Sequence, residues 1–306
     1  MKTGKRLIEL IRRAVPRSPQ DRDNLDIYLS SVLTKADGEL LFFPVDYVGF
    51  LRACLERKPA TVRHIATKHQ SADGLAAKKF SALVDAMKNI PTLEIQTVEK
   101  IGHIADGLRN HNETMQTEQW AGDVRAHFEM SSSFGAKGRV LSTIIRYMGS
   151  HTCLELGTAY GMSALFILEA MTRQNGDISL ITVEGGETQY SVSSDLLKKH
   201  YGDKVSCVYG WTNQVLPQLV NSLPPIDFMF HDAGHSQLDY TRDFNAILPV
   251  LKPGAVVLVD DIRWSDPRFA EGDPQCYRGW LDIVSHPRVS RAVEIDDSMG
   301  LLLLAS

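Results

Sequence analysis

A chain of 306 residues, 43% hydrophobic and 23% charged, with 22 Gly and 13 Pro, has globular proportions and length enough for one large domain or two ordinary ones. Its 33 Lys and Arg against 37 Asp and Glu leave a formal charge of −4. Collagen-like, low-complexity and wholly disordered chains are excluded, and a protein built mainly to neutralise nucleic-acid phosphates is disfavoured.

The opening stretch MKTGKRLIELIRRAVPRS is basic and amphipathic, but Glu9, Arg12 and Arg13 break its apolar residues, so the core of a signal peptide is not there. No window approaches the roughly 18 consecutive apolar residues of a membrane span. Cys54, Cys153, Cys207 and Cys276 lie far apart, without a C-x-x-C pair or a His at zinc-site spacing, which predicts reduced thiols. A cytoplasmic protein with no membrane partner is expected.

From about Leu25 to about His127 apolar residues recur at helical spacing, as in Val48, Leu51, Leu55 and in Phe80, Leu83, Val84, Met87, with prolines as punctuation. A Ser/Gly-rich joint, 130–135, follows, then a helix over 137–148, so a boundary is expected near residue 130, dividing residues 1–130 from 131–306. From Cys153 onward the pattern changes. The runs TCLEL, SLITVE, KVSCVY, IDFMFHD and AVVLVDD alternate with helical stretches, which predicts an α/β fold with a parallel sheet between helices. RAVEIDD and SMGLLLLA read as two strands joined by a tight turn, so the last strand is expected antiparallel.

The segment LELGTAYGMSALF, 154–166, carries the most information. Glu155 ends a buried strand, and Gly157 and Gly161 permit a turn tight enough to bring backbone N–H groups close to a ligand. The spacing E-x-G-x-x-x-G differs from the dinucleotide fingerprint G-x-G-x-x-G, and a carboxylate at the mouth suits a ligand bearing an ammonium group rather than a pyrophosphate. Glu184 closes the second strand in LITVEGG. Ligands of open parallel sheets bind outside the carboxyl ends of the strands, where both acids fall.

These residues resemble motif I and the ribose-binding carboxylate of the class I S-adenosylmethionine-dependent methyltransferases, and the match is closest to their small-molecule O-methyltransferase branch. The resemblance implies a Rossmann-like sheet, mostly parallel with an antiparallel last strand, preceded by a helical N-terminal region. It implies cofactor contacts from Glu155, Gly157, Thr158, Ala159, Gly161, Ser163, Glu184 and Asp232. After the third strand, in CVYGWTNQVLP, Trp211 or Thr212 would have to meet the adenine; Trp211 equally reads as a core residue of the next helix.

Asp232 ends the fourth strand with His235 three residues on, and Asp260 and Asp261 end the fifth. Strands that neighbour one another bring these carboxylates together, and three anions in one place require a cation. The arrangement is similar to the catechol and caffeoyl-coenzyme A O-methyltransferases, which implies Asp232, Asp260 and Asp261 as ligands of Mg²⁺ or another divalent ion. His235 stands where that group has lysine, which leaves metal dependence open. In-line attack by a substrate hydroxyl on the methyl carbon would use Asp232 and His235, the latter as general base. His235 could instead cap the next helix, and Asp261 could be an N-cap or pair with Arg263.

The stretch Pro59 to Met87 is weakly similar to the winged-helix-like dimerisation region preceding many O-methyltransferase domains. Eight Lys or Arg against three Asp or Glu over 52–88 also fit a DNA-reading element, though solvated helix faces carry such charge routinely. A homodimer with a small hydroxylated substrate and no nucleic-acid partner is expected. The joint 131–135 reads as a lid or as a plain linker, and Trp264 with the loop 265–275 as the seat of substrate selectivity. The alternatives are a metal-independent N- or O-methyltransferase, or a catalytically silent S-adenosylmethionine- or DNA-binding regulator.

Overall fold

The computed structural model describes residues 54, 60–67, 74–106, 114–116, 121–123, 136–264, 270 and 272–305. The opening amphipathic stretch, the periodic segment at 48–51, the joint 131–135 and positions 265–269 and 271 of the selectivity loop lie outside these residues.

In chain order the elements are β1 (Val62–Ile65), α1 (Leu75–Met87), α2 (Ile95–Asp106), β2 (Thr114–Gln116), β3 (Ala121–Asp123) and α3 (Ala136–Met148). The alternating half follows with β4 (Thr152–Leu156), α4 (Met162–Thr172), β5 (Ser179–Glu184), α5 (Glu187–Tyr201), β6 (Val205–Tyr209) and α6 (Thr212–Leu219). It ends with β7 (Ile226–His231), α7 (Gln237–Ile247), β8 (Leu251–Val259), α8 (Gln275–Val284), β9 (Val289–Ile295) and β10 (Met299–Leu304).

Eight strands form one sheet in the order β1-β9-β10-β8-β7-β4-β5-β6. The five from β8 to β6 are parallel, and β10 enters antiparallel between β8 and β9, as the closing strand pattern predicts. The hairpin from β9 to β10 turns through Asp296 and Asp297, both at positive φ (51° and 52°), a backbone that Asp tolerates better than most residues. The parallel strands are continuous apolar runs because both their faces are covered. On one face, Phe80 and Leu83 of α1, Ile101 of α2, Val140 and Ile144 of α3 and nearly all of α4 form a single core. On the other, Leu216 of α6, Tyr240 and Phe244 of α7 and Trp280 of α8 form a second. Helix α4 has no polar stripe because the sheet, α3 and α2 enclose it, and Met162 through Met171 are all buried.

Two features depart from the helical reading of the first half. Residues Val62–Ile65 form β1, which extends the sheet antiparallel to β9, and Thr114–Gln116 pairs with Ala121–Asp123 as a two-stranded ribbon. Four residues, VRHI, are too short to display a period. What makes them a strand is the edge of β9, to which Arg63 adds an ion pair with buried Glu294.

The topology sets the position of the site. The chain runs from β4 outward through β5 and β6, then returns to place β7 on the other side of β4. The switch point of the topology, where ligands of open parallel sheets bind, therefore falls at the carboxyl ends of β4 and β7.

Candidate active site

Gly157 leaves β4 at φ 91°, and a Cβ there would overlap the carbonyl of Asp232, so the turn after β4 can lie against the end of β7 only because this residue is glycine. Gly161 then caps α4 in the left-handed region at φ 88°. Between them Ala159 donates its backbone N–H to Glu184 Oε2 at 2.6 Å, while Gly186 donates to Oε1 at 2.7 Å. The carboxylate of Glu184 is thus held from two sides at the end of β5 and faces the glycine turn. Burial pushes its pKa up and these N–H groups pull it back, with a net rise.

Glu155 does not sit at the mouth of this turn. It is fully buried beneath it, where Thr182 Oγ1 donates to its Oε2 at 2.5 Å and the Thr158 hydroxyl donates in turn to Thr182. Burial raises Glu155 to about 7 despite hydrogen bonds from Ser163 and Thr182. Strand geometry puts it there: Glu155 lies opposite Thr182 in the β4–β5 register, inside the sheet rather than beyond it. Thr158 and Ser163 are buried too, so Thr158 faces the turn with its backbone and not its hydroxyl.

Trp211 is 60% exposed and lies over Gly185, where a Cβ would collide with its ring. The core reading of Trp211 fails, and the indole forms a wall beside Glu184. Thr212 instead accepts from Arg242 Nη2 at 3.2 Å, on the α7 side.

At the ends of β7 and β8, which run side by side with His231 opposite Val259, the expected acidic group assembles. His235 Nε2 lies 3.5 Å from Asp261 Oδ2 and 3.8 Å from Asp232 Oδ1. Ser236, not His235, caps α7, accepting from Asp239 N at 3.1 Å. Arg263 pairs with Glu294 at 2.8 Å rather than with Asp261. Asp261 is held at φ 53°, a strained backbone for a non-glycine residue and one that concentrates at functional sites. Trp264 packs edge-on against the His235 ring, centroids 4.7 Å apart, and stays 42% exposed.

The ligand set differs from the expected one. Asp232, His235 and Asp261 bring one donor atom each within 4.8 Å of one another, and Asp260 is not among them. Asp260 is buried, its Oδ1 accepts the backbone N–H of Asp261 at 2.9 Å, and its Oδ2 lies 2.5 Å from the ammonium of Lys137. Lys137 Nζ is also 3.6 Å from Asp261 Oδ1. A lysine from the first turn of α3 therefore supplies part of the positive charge that the three aspartates require. No local pattern marks Lys137 in the sequence, because its partners lie more than a hundred residues downstream.

Charge governs the protonation of the group. Burial would lower the pKa of His235, but Asp232 and Asp261 outweigh it and raise the imidazole to about 9. It is then a cation at neutral pH and bridges the aspartates. It can accept a proton only when another cation relieves it of them, which amends its expected role as base. Asp261 goes the other way: burial raises it, and His235 and Lys137 bring it below its ordinary value. Burial, with Asp232 beside it, raises Asp260 to about 7 although Lys137 opposes the rise.

Residues 154–262 match a family model described as a methyltransferase domain. No curated protein matches the chain. Among solved structures, the O-methyltransferase TomG from Streptomyces achromogenes, involved in tomaymycin synthesis and crystallised with S-adenosylmethionine, is 22% identical with a TM-score of 0.50; the match covers 60% of this chain and 86% of that one. A putative O-methyltransferase from Klebsiella pneumoniae is 18% identical, TM-score 0.52, over 74% of this chain and 96% of that one. A putative caffeoyl-CoA O-methyltransferase from Staphylococcus aureus is also 18% identical, TM-score 0.50, over 68% of this chain and 100% of that one. At such identities the neighbours show the fold. The domain match covers residues 154–262, the stretch that carries the glycine turn, Glu184 and the three aspartates.

Proposed function

We propose that the protein transfers the methyl group of S-adenosylmethionine to a hydroxyl oxygen of a small molecule. The observation that carries this reading is the contact between two sites: the glycine turn of β4 lies against the backbone of Asp232, whose side chain belongs to the Asp232, His235 and Asp261 group. A donor in the turn and an acceptor at the aspartates are therefore immediate neighbours.

Glu184, already fixed by two backbone donors, retains lone pairs for the ribose hydroxyls. The N-terminal turn of α4, opening at Gly161, presents backbone N–H groups to the methionyl carboxylate. Trp211 closes the purine side. The hydroxyl oxygen attacks the methyl carbon in line with the sulfur; the C–S bond electrons remain on sulfur, giving S-adenosylhomocysteine, and the hydroxyl proton leaves toward the aspartate group. Because the sulfonium is already electrophilic, positioning supplies much of the rate.

A divalent ion would be held by Asp232, His235 and Asp261 and would act as a Lewis acid that lowers the hydroxyl pKa. Two carboxylates with one imidazole suit Mn²⁺ or a later transition ion better than Mg²⁺, which favours oxygen alone. Trp264, exposed beside His235, offers a face to a planar acceptor. The reading also includes a cytoplasmic homodimer in which the first half of the chain supplies the interface, and among the described residues no helix is long and apolar enough to cross a membrane.

The test is calorimetric binding of S-adenosylhomocysteine, followed by transfer of labelled methyl from S-adenosylmethionine to a panel of phenols, alcohols and amines. Binding with label appearing on hydroxyl acceptors supports the proposal. Failure to bind S-adenosylhomocysteine, or label confined to amines, overturns it.

A further inference from the structure

We propose that Lys137 is a positioning residue of the acceptor site, whose ammonium group stands in the counter-charge place beside Asp260 and Asp261 and thereby competes with a divalent ion for the aspartates. The inference rests on the methyltransferase reading for its functional meaning, while its physical content can be tested without an acceptor.

Three observations carry it. The ammonium is 2.5 Å from Asp260 Oδ2 and 3.6 Å from Asp261 Oδ1, so it touches one aspartate outside the candidate ligand set and one inside it. Asp260 is wholly buried and Lys137 half-buried, so solvent screens this pair less than a surface ion pair. Finally, Asp260 is adjacent to Asp261, whose N–H it accepts; the lysine thus also fixes the strained backbone that aims Asp261 at His235. The groups facing the ammonium among the described residues are Asp260, Asp261 and, at longer range, Asp232.

The charge arithmetic has a definite consequence. A dication entering beside Lys137 meets a nearby positive charge, and the aspartates it needs are already partly neutralised. Removing the lysine charge frees Asp261 of a cation 3.6 Å away and leaves Asp232 and Asp261 opposed by His235 alone, which makes the cluster a better cation site. A lysine serving only to pack α3 would show no such gain.

The experiment uses the full chain with Lys137→Met, Lys137→Gln and Lys137→Arg, and follows Mn²⁺ binding by the loss of its free-ion paramagnetic resonance signal near neutral pH. Calorimetry with S-adenosylhomocysteine reports the integrity of the cofactor side. Both neutral variants are expected to bind Mn²⁺ about tenfold or more tightly than the parent, about 1.4 kcal/mol. Lys137→Arg should stay close to the parent. If Lys137→Met is insoluble, Lys137→Gln carries the same test. Unchanged or weaker Mn²⁺ binding in the neutral variants overturns the proposal, as does an equal gain in Lys137→Arg. A parent that binds no S-adenosylhomocysteine sinks the methyltransferase reading instead, and leaves the Mn²⁺ comparison intact.

Discussion

Two residues at the glycine turn have roles sharp enough to measure. Glu184 accepts backbone hydrogen bonds at both oxygens and has capacity left for a ligand. Glu184→Gln keeps the size but removes the charge and one acceptor; with charged hydrogen bonds worth about 1.5–3 kcal/mol, S-adenosylhomocysteine affinity should fall by about tenfold to a hundredfold in calorimetry. An affinity within twofold of the parent would show that Glu184 does not hold the ligand. Gly157→Ala tests the approach of the turn to β7. The new methyl meets the Asp232 carbonyl at a backbone angle of φ 91°, so a loss of about 3 kcal/mol or more in urea unfolding is expected. Glu184 and the glycines could be read as a pattern because strand ends and tight turns are local. The depth of Glu155 could not, since it depends on Thr182 in another strand.

Among the elements, the start of β7 shows how the parallel strands are anchored. Asp227 accepts from the backbone N–H groups of His151 and Thr152, at 3.0 and 2.9 Å, and pairs with Lys252 at 2.6 Å, thereby joining the beginnings of β4, β7 and β8. Burial alone would raise its pKa, but these donors lower it below the ordinary carboxylate value. A carboxyl group depressed in the folded state contributes stability that is present above its unfolded pKa of about 3.9 and is lost as pH falls through the folded value. Asp227→Asn should therefore cost about 1–2 kcal/mol at neutral pH and progressively less in acid, seen as converging urea midpoints below about pH 4. Equal differences at all pH values would contradict the ion-pair account. The parallel strands were legible as unbroken apolar runs, and the hairpin of β9 and β10 as two runs around Asp296 and Asp297. Strand β1 was not legible, because its four residues become a strand only by pairing with β9.

The molecule as a whole does not divide its core where the composition changes. Phe80, Leu83, Val84 and Met87 of α1 and Val98 and Ile101 of α2 share one buried cluster with α3 and α4, and Lys79 donates to the Met148 carbonyl at 2.9 Å. A fragment starting at residue 131 would expose that face of α3 and α4 together with the edge of β9. Each large side chain left unpacked is worth roughly 2–5 kcal/mol, so the fragment is expected to lack a cooperative thermal transition. A sharp transition close to that of the full chain would show instead that residues 1–130 are an appendage. The alternating pattern begins only from Cys153 onward, and that change of local period is not the limit of the packed interior.

What was readable in one dimension was whatever obeys a short-range rule: the alternation of strands and helices, the glycine turn, the acids at strand ends and the antiparallel last strand. Those features depend on residues a few positions apart, so spacing alone reveals them. Tertiary contact decided the rest. It placed Glu155 under the turn, set Trp211 on the surface over Gly185, and brought Lys137 to the aspartates from the far side of the sheet sequence. Burial and charge neutralisation act over a few ångströms of space, whatever the distance along the chain, and no pattern of neighbouring residues carries that information.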